Sequence, residues 1–486
     1  MQLKALGIQA TTLNHSTSKE EVKTIMQAIT DPHSTLRLLY VTPEKLAQSK
    51  RLMNKLEKCD EAGLLKLVAI DEVHCCSQWG HDFRPDFKFL NVVKRQFKDV
   101  PIVGLTATAT YDVVEDLKNI LNIPAAVVFR AGFNRPNLFY EVVPKPSKLE
   151  DSVADISAMI KNRFSGESGI VYCFSKKDCE ELATALRQQG IQAHFYHADM
   201  DTEQRKRTHE KWTAGAINVM VATVAFGMGI DKPDVRYVIH HSLPKSMENY
   251  YQESGRAGRD GKDATCVLYF RLSDLFRQST MVCTEKTGIA NLYSMLVYCL
   301  QSKSCRRCLI AEHFNEVWNE SWCSKKCDVC CGKTSSSTSV NIEPCLDIFI
   351  QLLKECEQKA KNESSRRITG LKLVELAMKR LKNDYSKTAL EYAVAHFLRY
   401  GYLKEEFHFT PYSIVSYVVA GAKCLTGVQD NQESLTVQIP LNSGEANPVA
   451  AKPQISSRKR TAEIDGAVDK RRLINCASPE ITEIVL

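Results

Sequence analysis

The sequence lacks any apolar run that approaches the roughly 20 residues needed to span a bilayer. Its first residues, MQLKALGIQATT, also lack the long apolar segment that directs secretion. The sequence therefore predicts no membrane-spanning helix and a reducing compartment, where the eighteen cysteines are not expected to form disulfides. A tight group of cysteines in such a chain predicts a metal site instead.

A strong charge of one sign is absent too. The 64 basic and 57 acidic residues leave a formal charge of +7, which permits nucleic-acid binding but does not establish it. Local clusters of residues must therefore carry any argument for a nucleic-acid partner. The 486 residues suffice for about three domains of the usual 100 to 200 residues, and no short-period repeat divides them.

Short β-branched runs alternate with helical stretches over residues 1–132 and again over residues 133–273. In the first half, LKLVAIDEVH is followed about 30 residues later by PIVGLTATAT, a spacing that predicts a right-handed βαβ crossover. In the second half, the predicted strands are GIVYCFS, AHFYHA, NVMVAT, VRYVIHH and ATCVLYF. Ser175 and Asp178 form a capping box for a helix that Gly190 ends. Its apolar stripe is Cys179, Leu182, Ala183 and Leu186. The fold class is therefore α/β, with two parallel-sheet lobes.

Smaller modules follow the second lobe. Residues 274–333 are helical and then cysteine-rich, and residues 333–340 (KTSSSTSV) predict a short linker. Within residues 341–425, a helix is expected to begin at Thr388 and Glu391 and to stop at Gly401. Strand-like runs over residues 402–405 and 407–418 follow, so the segment predicts a winged helix. Residues 426–486 have no core-forming period and predict a disordered, basic tail.

The sequence Asp71-Glu72-Val73-His74 directly follows an apolar strand. An acidic pair at the carboxyl end of a parallel strand lies where nucleotides bind, with Asp71 suited to hold Mg²⁺ and Glu72 to orient or deprotonate water. The alternative for this pair is a solvated strand end.

Two later segments have a matching order and spacing: residues 104–110 (GLTATAT) and residues 250–259 (YYQESGRAGR). Arg256 and Arg259 are three residues apart, which on one face of a helix turn would let both reach a γ-phosphate, and Gln252 precedes them. Structural salt bridges are the alternative for each arginine. Together with the acidic motif, these segments resemble motifs II, III and VI of superfamily 2 helicases.

Residues 75–87 (CCSQWGHDFRPDF) identify the branch of that superfamily, because they resemble the aromatic-rich loop of RecQ helicases. In this family the loop couples single-strand binding to ATP hydrolysis, and its candidate DNA contacts here are Trp79, His81, Phe83 and Arg84. Core packing is the alternative for the two rings. Residues 221–235 similarly resemble motif V, and residues 134–137 (NRPN) resemble the start of the second lobe. The resemblance covers about residues 1–425 and is nearest to the short animal RecQ-like type.

The resemblance implies an ATP-dependent, 3′-to-5′ DNA helicase that unwinds duplex DNA in repair and recombination. Asp71, Glu72, His74, Gln252, Arg256 and Arg259 are the catalytic candidates that it implies, with Mg²⁺ and ATP as cofactor and substrate. The expected partners are single-stranded and duplex or forked DNA, with no membrane. The resemblance also allows a homo-oligomer.

Cys305, Cys323, Cys327 and Cys330 follow the pattern C-x17-C-x3-C-x2-C, which is close to that of the RecQ zinc subdomain. Four thiolates around Zn²⁺ would make a closed, structural site. Cys308 and Cys331 are alternative ligands, and free buried cysteines are the alternative to a metal. In the predicted wing, alignment with the family pattern puts Phe407 where a strand-separating aromatic often lies, although packing within the ribbon explains a phenylalanine there equally well.

The family's phosphate loop, G-x-x-x-x-G-K-[ST], is missing from the sequence, as is the adenine-reading motif that would precede it. Gly332-Lys333-Thr334 has the right ending, but Cys327 stands five residues before Gly332. The first residues resemble sequence just after motif Ia, so we expect the chain to begin inside lobe one. Two functions then compete: a helicase whose complete form carries the loop, and a catalytically inactive DNA-binding isoform or fragment. A DEAD-box-like RNA helicase is a third possibility, which the aromatic-rich loop and the zinc and wing modules disfavour.

Two basic clusters, Arg458-Lys-Arg460 and Lys470-Arg-Arg472, are separated by nine residues in the predicted tail. That spacing approximates a bipartite import signal and predicts a nuclear protein. Solvated charges or DNA phosphate contacts are the alternatives.

Overall fold

A computed structural model of the chain describes residues 2–14, 17–79, 82–227, 230–333, 337–359, 367–382, 384–426 and 435–440. Residues Met1–Ala446 belong to one unit of the structure. The predicted disordered tail of residues 426–486 is wrong at its start, because Thr436–Pro440 forms a strand that pairs with residues 337–341. The rest of the tail beyond residue 440, with both basic clusters, lies outside the described residues. Among the residues that are described, none of the helices is long and apolar enough to cross a membrane.

In the described residues, the first lobe has four short strands and six α-helices. Its elements are α1 Gln2–Ala5, β1 Ala10–Leu13, α2 Lys19–Ala28, β2 Leu38–Val41, α3 Pro43–Gln48, α4 Lys50–Glu61, β3 Val68–Ile70, α5 Val93–Gln96, β4 Ile102–Gly104 and α6 Tyr111–Ile120. The predicted βαβ crossover is confirmed, because β3 pairs in parallel with β4. Two 3₁₀ segments, Val73–Cys76 and Pro85–Val92, lie in this crossover.

The strands of lobe one form two separate parallel pairs, β1 with β2 and β3 with β4, rather than one sheet. Several of their apolar side chains are exposed, including Leu38, Tyr40 and Val103. Parallel strands are usually covered on both faces, so this lobe has strand surface that its described residues do not bury.

The second lobe is a six-stranded sheet with helices between its strands. Its elements are β5 Leu138–Pro144, α7 Leu149–Arg163, β6 Ser168–Tyr172, α8 Lys176–Gln188, β7 Ala193–Tyr196, α9 Thr202–Thr213, β8 Val219–Ala222, β9 Val235–His240, α10 Met247–Ser254 and β10 Ala264–Phe270. All pairings are parallel, in the order β5-β10-β9-β6-β8-β7. The five predicted strands and the capping box of α8 are confirmed, whereas β5 was not foreseen.

Both faces of this sheet are buried because neighbouring residues of each strand enter different cores. In β6, for example, Ile170 packs in one apolar cluster and Val171 in the other. The cluster containing Ile170 continues into the C-terminal modules, so those modules pack against one face of lobe two.

The C-terminal modules are helical and end in a ribbon. Their elements are α11 Leu272–Val282, α12 Gly288–Leu300, α13 Arg306–His313, a 3₁₀ turn Glu320–Cys323, β11 Ser337–Asn341, α14 Glu343–Lys359, α15 Gly370–Arg380, α16 Lys387–Tyr400, β12 Leu403–Phe409, β13 Ile414–Ala420, α17 Ala422–Thr426 and β14 Thr436–Pro440. Strands β12 and β13 form an antiparallel hairpin, and β11 pairs with β14. The predicted order of helix and two strands is therefore present.

Three boundaries differ from the sequence prediction. Ser386, not Thr388, caps α16, because its side chain accepts a hydrogen bond from the Ala389 amide. The hairpin turn lies at residues 410–413 instead of at residue 406, which gives two strands of seven residues. Part of the predicted linker forms β11, since Ser337–Asn341 has a partner strand much later in the chain.

Candidate active site

The acidic motif lies in the turn that follows β3. Asp71 is exposed there, and its carboxylate accepts a hydrogen bond from the Glu72 amide at 2.9 Å. Glu72 has a left-handed backbone, with φ of 48°, and its Oε2 lies 3.4 Å from Nδ1 of buried His74. Burial and the neighbouring Asp71 charge raise the pKa of Glu72, while Arg84 and Arg256 act in the opposite direction. Glu72 is thus a carboxylate whose proton affinity is raised, as a residue that orients or deprotonates water requires.

The two lobes meet at this carboxylate. Gln252, in α10 of lobe two, donates a hydrogen bond from Nε2 to Glu72 Oε1 at 3.3 Å, although 180 residues separate them. The structure therefore brings together the residues predicted from the acidic motif and from the later glutamine-containing motif. Asp71 is an oxygen ligand of the kind that Mg²⁺ prefers, and it stands at the same edge of β3.

Arg256 and Arg259 lie beyond the end of α10, not on one face of a helix. The helix ends at Ser254, and Gly258 has a φ of +58°, so the backbone turns away between the two arginines. Arg256 is buried and donates to the Gly227 carbonyl at 2.5 Å, while Arg259 donates to the Ile230 carbonyl at 2.7 Å. The prediction of a shared helix face was wrong, although both arginines do contact the motif V segment.

Arg135, in the NRPN segment, supports the turn that carries these arginines. Its guanidinium donates to the carbonyls of Gly255, Ala257 and Gly258 at 3.1–3.2 Å. Arg307 of α13 in turn donates to the Arg135 carbonyl at 2.7 Å. Sequence reasoning missed both supporting roles, because neither contact follows from local spacing.

The aromatic-rich loop is connected to the acidic motif by a series of side-chain contacts. Arg84 pairs with Asp82 at 2.7 Å, and Asp82 lies 3.9 Å from the Cys75 sulfur. That sulfur is 3.7 Å from His74 Nε2, and His74 Nδ1 is 2.9 Å from the Thr106 hydroxyl of the GLTATAT segment. Contiguous side-chain contacts therefore link the loop to His74 and, through His74, to Glu72.

The predicted DNA contacts of this loop differ in exposure. The Trp79 side chain is 50% exposed, and Phe83 is half-buried with the Lys88 ammonium 5.2 Å from its ring centre. The alternative interpretation, that the two rings pack in the core, is therefore wrong. His81 lies outside the described residues.

The four predicted cysteine ligands converge. The sulfurs of Cys305, Cys323, Cys327 and Cys330 all lie within 4.8 Å of one another. Cys327 is 3.9 Å from the Cys305 sulfur and 3.7 Å from the Cys323 sulfur, close to the ~3.8 Å separation that a Zn–S length of about 2.3 Å gives in a tetrahedron. The donor set fits Zn²⁺, and Cys308 and Cys331 are not members of this cluster.

The cysteine cluster is fixed to the edge of the lobe-two sheet. The Tyr140 amide of β5 donates to the Lys326 carbonyl at 3.2 Å, and the Tyr140 carbonyl accepts from the Asp328 amide at 2.9 Å. Buried Arg306 pairs with the Asp328 carboxylate at 2.9 Å. Residues 326–328 of the cysteine-rich segment thus cover the edge strand β5, which would otherwise expose unpaired backbone groups.

The ring at the tip of the hairpin is Tyr412, not Phe407. Tyr412 lies between β12 and β13 and is 98% exposed, whereas Phe407 is within β12, opposite Ser416, and partly buried. Thr410 closes the turn by accepting from the Ser413 amide at 2.9 Å. Pro411 in the sequence Thr-Pro-Tyr-Ser was the missed signal, since proline favours the second position of a turn and places Tyr412 in the third.

Three family models match the chain. Residues 1–117 match the DEAD/DEAH box helicase model, residues 151–261 match the helicase conserved C-terminal domain, and residues 271–331 match the RecQ zinc-binding model. The matched ranges contain the acidic motif, both arginines and the four cysteines.

Three curated relatives carry names that include the words ATP-dependent DNA helicase. The ATP-dependent DNA helicase Q1 of Pongo abelii is 50% identical over 450 residues, which are 90% of this chain and 68% of that protein. A Caenorhabditis briggsae protein that also carries the helicase Q1 name is 58% identical over 426 residues, 87% of this chain and 69% of that protein. The ATP-dependent DNA helicase Q-like 2 of Arabidopsis thaliana is 47% identical over 425 residues, 87% of this chain and 59% of that protein.

Proposed function

The chain belongs to the RecQ family of ATP-dependent DNA helicases, and from this membership we propose that it serves 3′-to-5′ unwinding of duplex DNA in repair and recombination. The observation that carries the proposal is the 3.3 Å contact of Glu72 with Gln252. It joins the acidic motif of one lobe to the glutamine and arginine motif of the other, which is the arrangement that a nucleotide cleft between two lobes requires.

We assign the nucleotide chemistry to this cleft. Asp71 would hold the Mg²⁺ that accompanies ATP, and Glu72 would take the proton of the attacking water. His74, which contacts both Glu72 and Thr106, would hold the Glu72 side chain in position. Arg256 and Arg259 would meet the negative charge of the phosphates, because a guanidinium binds phosphate through paired hydrogen bonds. Mg²⁺ supplies charge neutralisation at the phosphates when it is bound.

We assign DNA binding to the aromatic-rich loop and to the β12–β13 hairpin. Trp79 and Phe83 would stack on bases of a single strand, with Arg84 beside them at a phosphate. We propose Tyr412 as the ring that separates the strands at a fork, since it is the exposed aromatic at the hairpin tip. A fork, rather than a blunt duplex, is the partner that a projecting ring fits.

A second candidate function rests on a motif that the sequence does not contain. The 486 residues include no G-x-x-x-x-G-K-[ST] loop, whose amides and lysine hold the phosphates in this family. We propose that these residues by themselves bind DNA without appreciable ATP turnover. Nuclear residence remains part of the proposal through the basic clusters at residues 458–460 and 470–472.

The two candidates separate in a direct test. The reading frame upstream of Met1 is first inspected for the phosphate loop, and unwinding is then measured on the protein that carries it. A partial duplex with a 3′ tail should be unwound and one with a 5′ tail should not. Glu72→Gln should abolish unwinding, while Glu115→Gln on α6 should leave it intact. Equal unwinding of both tails would refute the assigned direction, and unwinding by Glu72→Gln would refute the assigned base.

A further inference from the structure

Lys286 covers the tryptophan of the aromatic-rich loop. Its ammonium lies 3.3 Å from the centre of the Trp79 ring. Trp79 belongs to lobe one, whereas Lys286 lies in the turn between α11 and α12 of the C-terminal modules. A cation at this distance is attracted by the negative face of the indole ring. It also occupies the area that a stacked base would need.

The turn that carries Lys286 is hydrogen-bonded and close-packed. The Glu285 amide donates to the Val282 carbonyl at 2.9 Å, and the Gly288 amide donates to the Glu285 carbonyl at 3.2 Å. A side chain at Gly288 would begin 2.2 Å from the Val282 carbonyl oxygen, so the turn is close-packed. The Glu285 carboxylate is also 3.6 Å from the Lys245 ammonium of lobe two. The turn that places Lys286 over Trp79 is therefore held by its own hydrogen bonds and by an ion pair with lobe two.

We propose that Lys286 is a cap on Trp79, which single-stranded DNA must displace before a base can stack on that face of the ring. This inference rests on the proposed role of the aromatic-rich loop in DNA binding. An exposed cation–π contact is strong enough to weaken binding about two- to fivefold if it must be broken. Each base that stacks on an aromatic ring gains more than that, so DNA of sufficient length displaces the lysine.

A double-mutant cycle tests the cap on the 486-residue chain without ATP. The affinity for a short, dye-labelled oligothymidine is measured by fluorescence anisotropy for Lys286→Gln, Trp79→Ala and the double variant. Lys206→Gln on α9 is the charge-matched control, and Lys286→Arg restores a cation over the ring. Lys286→Gln should tighten binding about two- to fivefold in the presence of Trp79 and should have no such effect with Trp79→Ala.

The other outcomes overturn the cap, each for a distinct reason. Weaker binding by Lys286→Gln, as expected for loss of a phosphate contact, would make the lysine a DNA ligand. Tightening that persists with Trp79→Ala would show that the ring is not what Lys286 covers. An unchanged affinity for Trp79→Ala alone would remove the proposed DNA role of the loop, and the cap with it, whereas a weakened Trp79→Ala with an unaffected Lys286→Gln would remove the cap only.

Discussion

Glu405 of β12 accepts a hydrogen bond from the Ser279 hydroxyl of α11 at 2.7 Å. The same carboxylate accepts from Tyr293 of α12 at 3.0 Å and from Ser416 of β13 at 2.6 Å. Its side chain is buried, so three hydroxyl groups from three elements satisfy it in place of water. Glu405 therefore joins the base of the hairpin to helices α11 and α12.

The stability that Glu405 contributes should depend on pH. Burial raises the pKa of Glu405, and the hydroxyl donors of Ser416, Ser279 and Tyr293 lower it only in part. Because the folded pKa is above the unfolded one, the contribution is fully present below the unfolded pKa and is lost as pH rises through the folded pKa. Thermal unfolding of Glu405→Gln should then depend less on pH over that range than unfolding of the wild-type chain does.

Glu406→Gln is the matched control, since Glu406 is the neighbouring residue of the same strand and is only partly buried. Its unfolding should follow the wild-type pH dependence. A Glu405→Gln variant with the wild-type profile would show that the carboxylate is not the titrating group. Glu405→Ala should cost about 1–3 kcal/mol below the unfolded pKa, because it leaves buried hydroxyls without their acceptor, and less as pH rises through the folded pKa.

Removal of the Tyr412 ring should weaken fork recognition. The ring is 98% exposed at the tip, and stacking of a base on an aromatic side chain is worth about 1–3 kcal/mol. Tyr412→Ala should reduce the preference for forked over blunt duplex DNA, measured by competition binding. Phe407→Ala should leave that preference intact and lower hairpin stability instead. The reverse result would return the strand-separating role to Phe407.

Removal of one zinc ligand should unfold the cysteine-rich segment. Cys327 contacts the sulfurs of both Cys305 and Cys323, and a structural zinc ion contributes folding free energy on the order of 10 kcal/mol. Metal analysis should give about one zinc per chain, and Cys327→Ser should lose both the metal and protection of strand β5 in hydrogen exchange. Cys331→Ser, outside the cluster, should retain both. A metal-free wild-type chain with β5 fully protected would contradict the zinc assignment.

Local patterns predicted the elements, whereas contacts between distant segments could not be predicted. The stripe of α8 follows from helix periodicity, so Cys179 and Leu182 were correctly placed in the core. The spacing of Arg256 and Arg259 gave a wrong prediction of a shared helix face, because α10 ends at Ser254 and Gly258 has a positive φ. The contacts of Arg135 with the Gly255–Gly258 turn and of Lys286 with Trp79 depend on how lobes and modules pack. No periodicity within one segment encodes such packing.

Steady-state ATP turnover by the 486-residue chain can be measured with and without single-stranded DNA. We propose that these residues bind DNA and carry the acidic and arginine motifs, while turnover also needs the phosphate loop that they do not contain. We therefore expect measurable DNA binding together with a turnover that DNA does not stimulate and that Glu72→Gln does not lower. DNA-stimulated hydrolysis that Glu72→Gln abolishes would contradict this proposal.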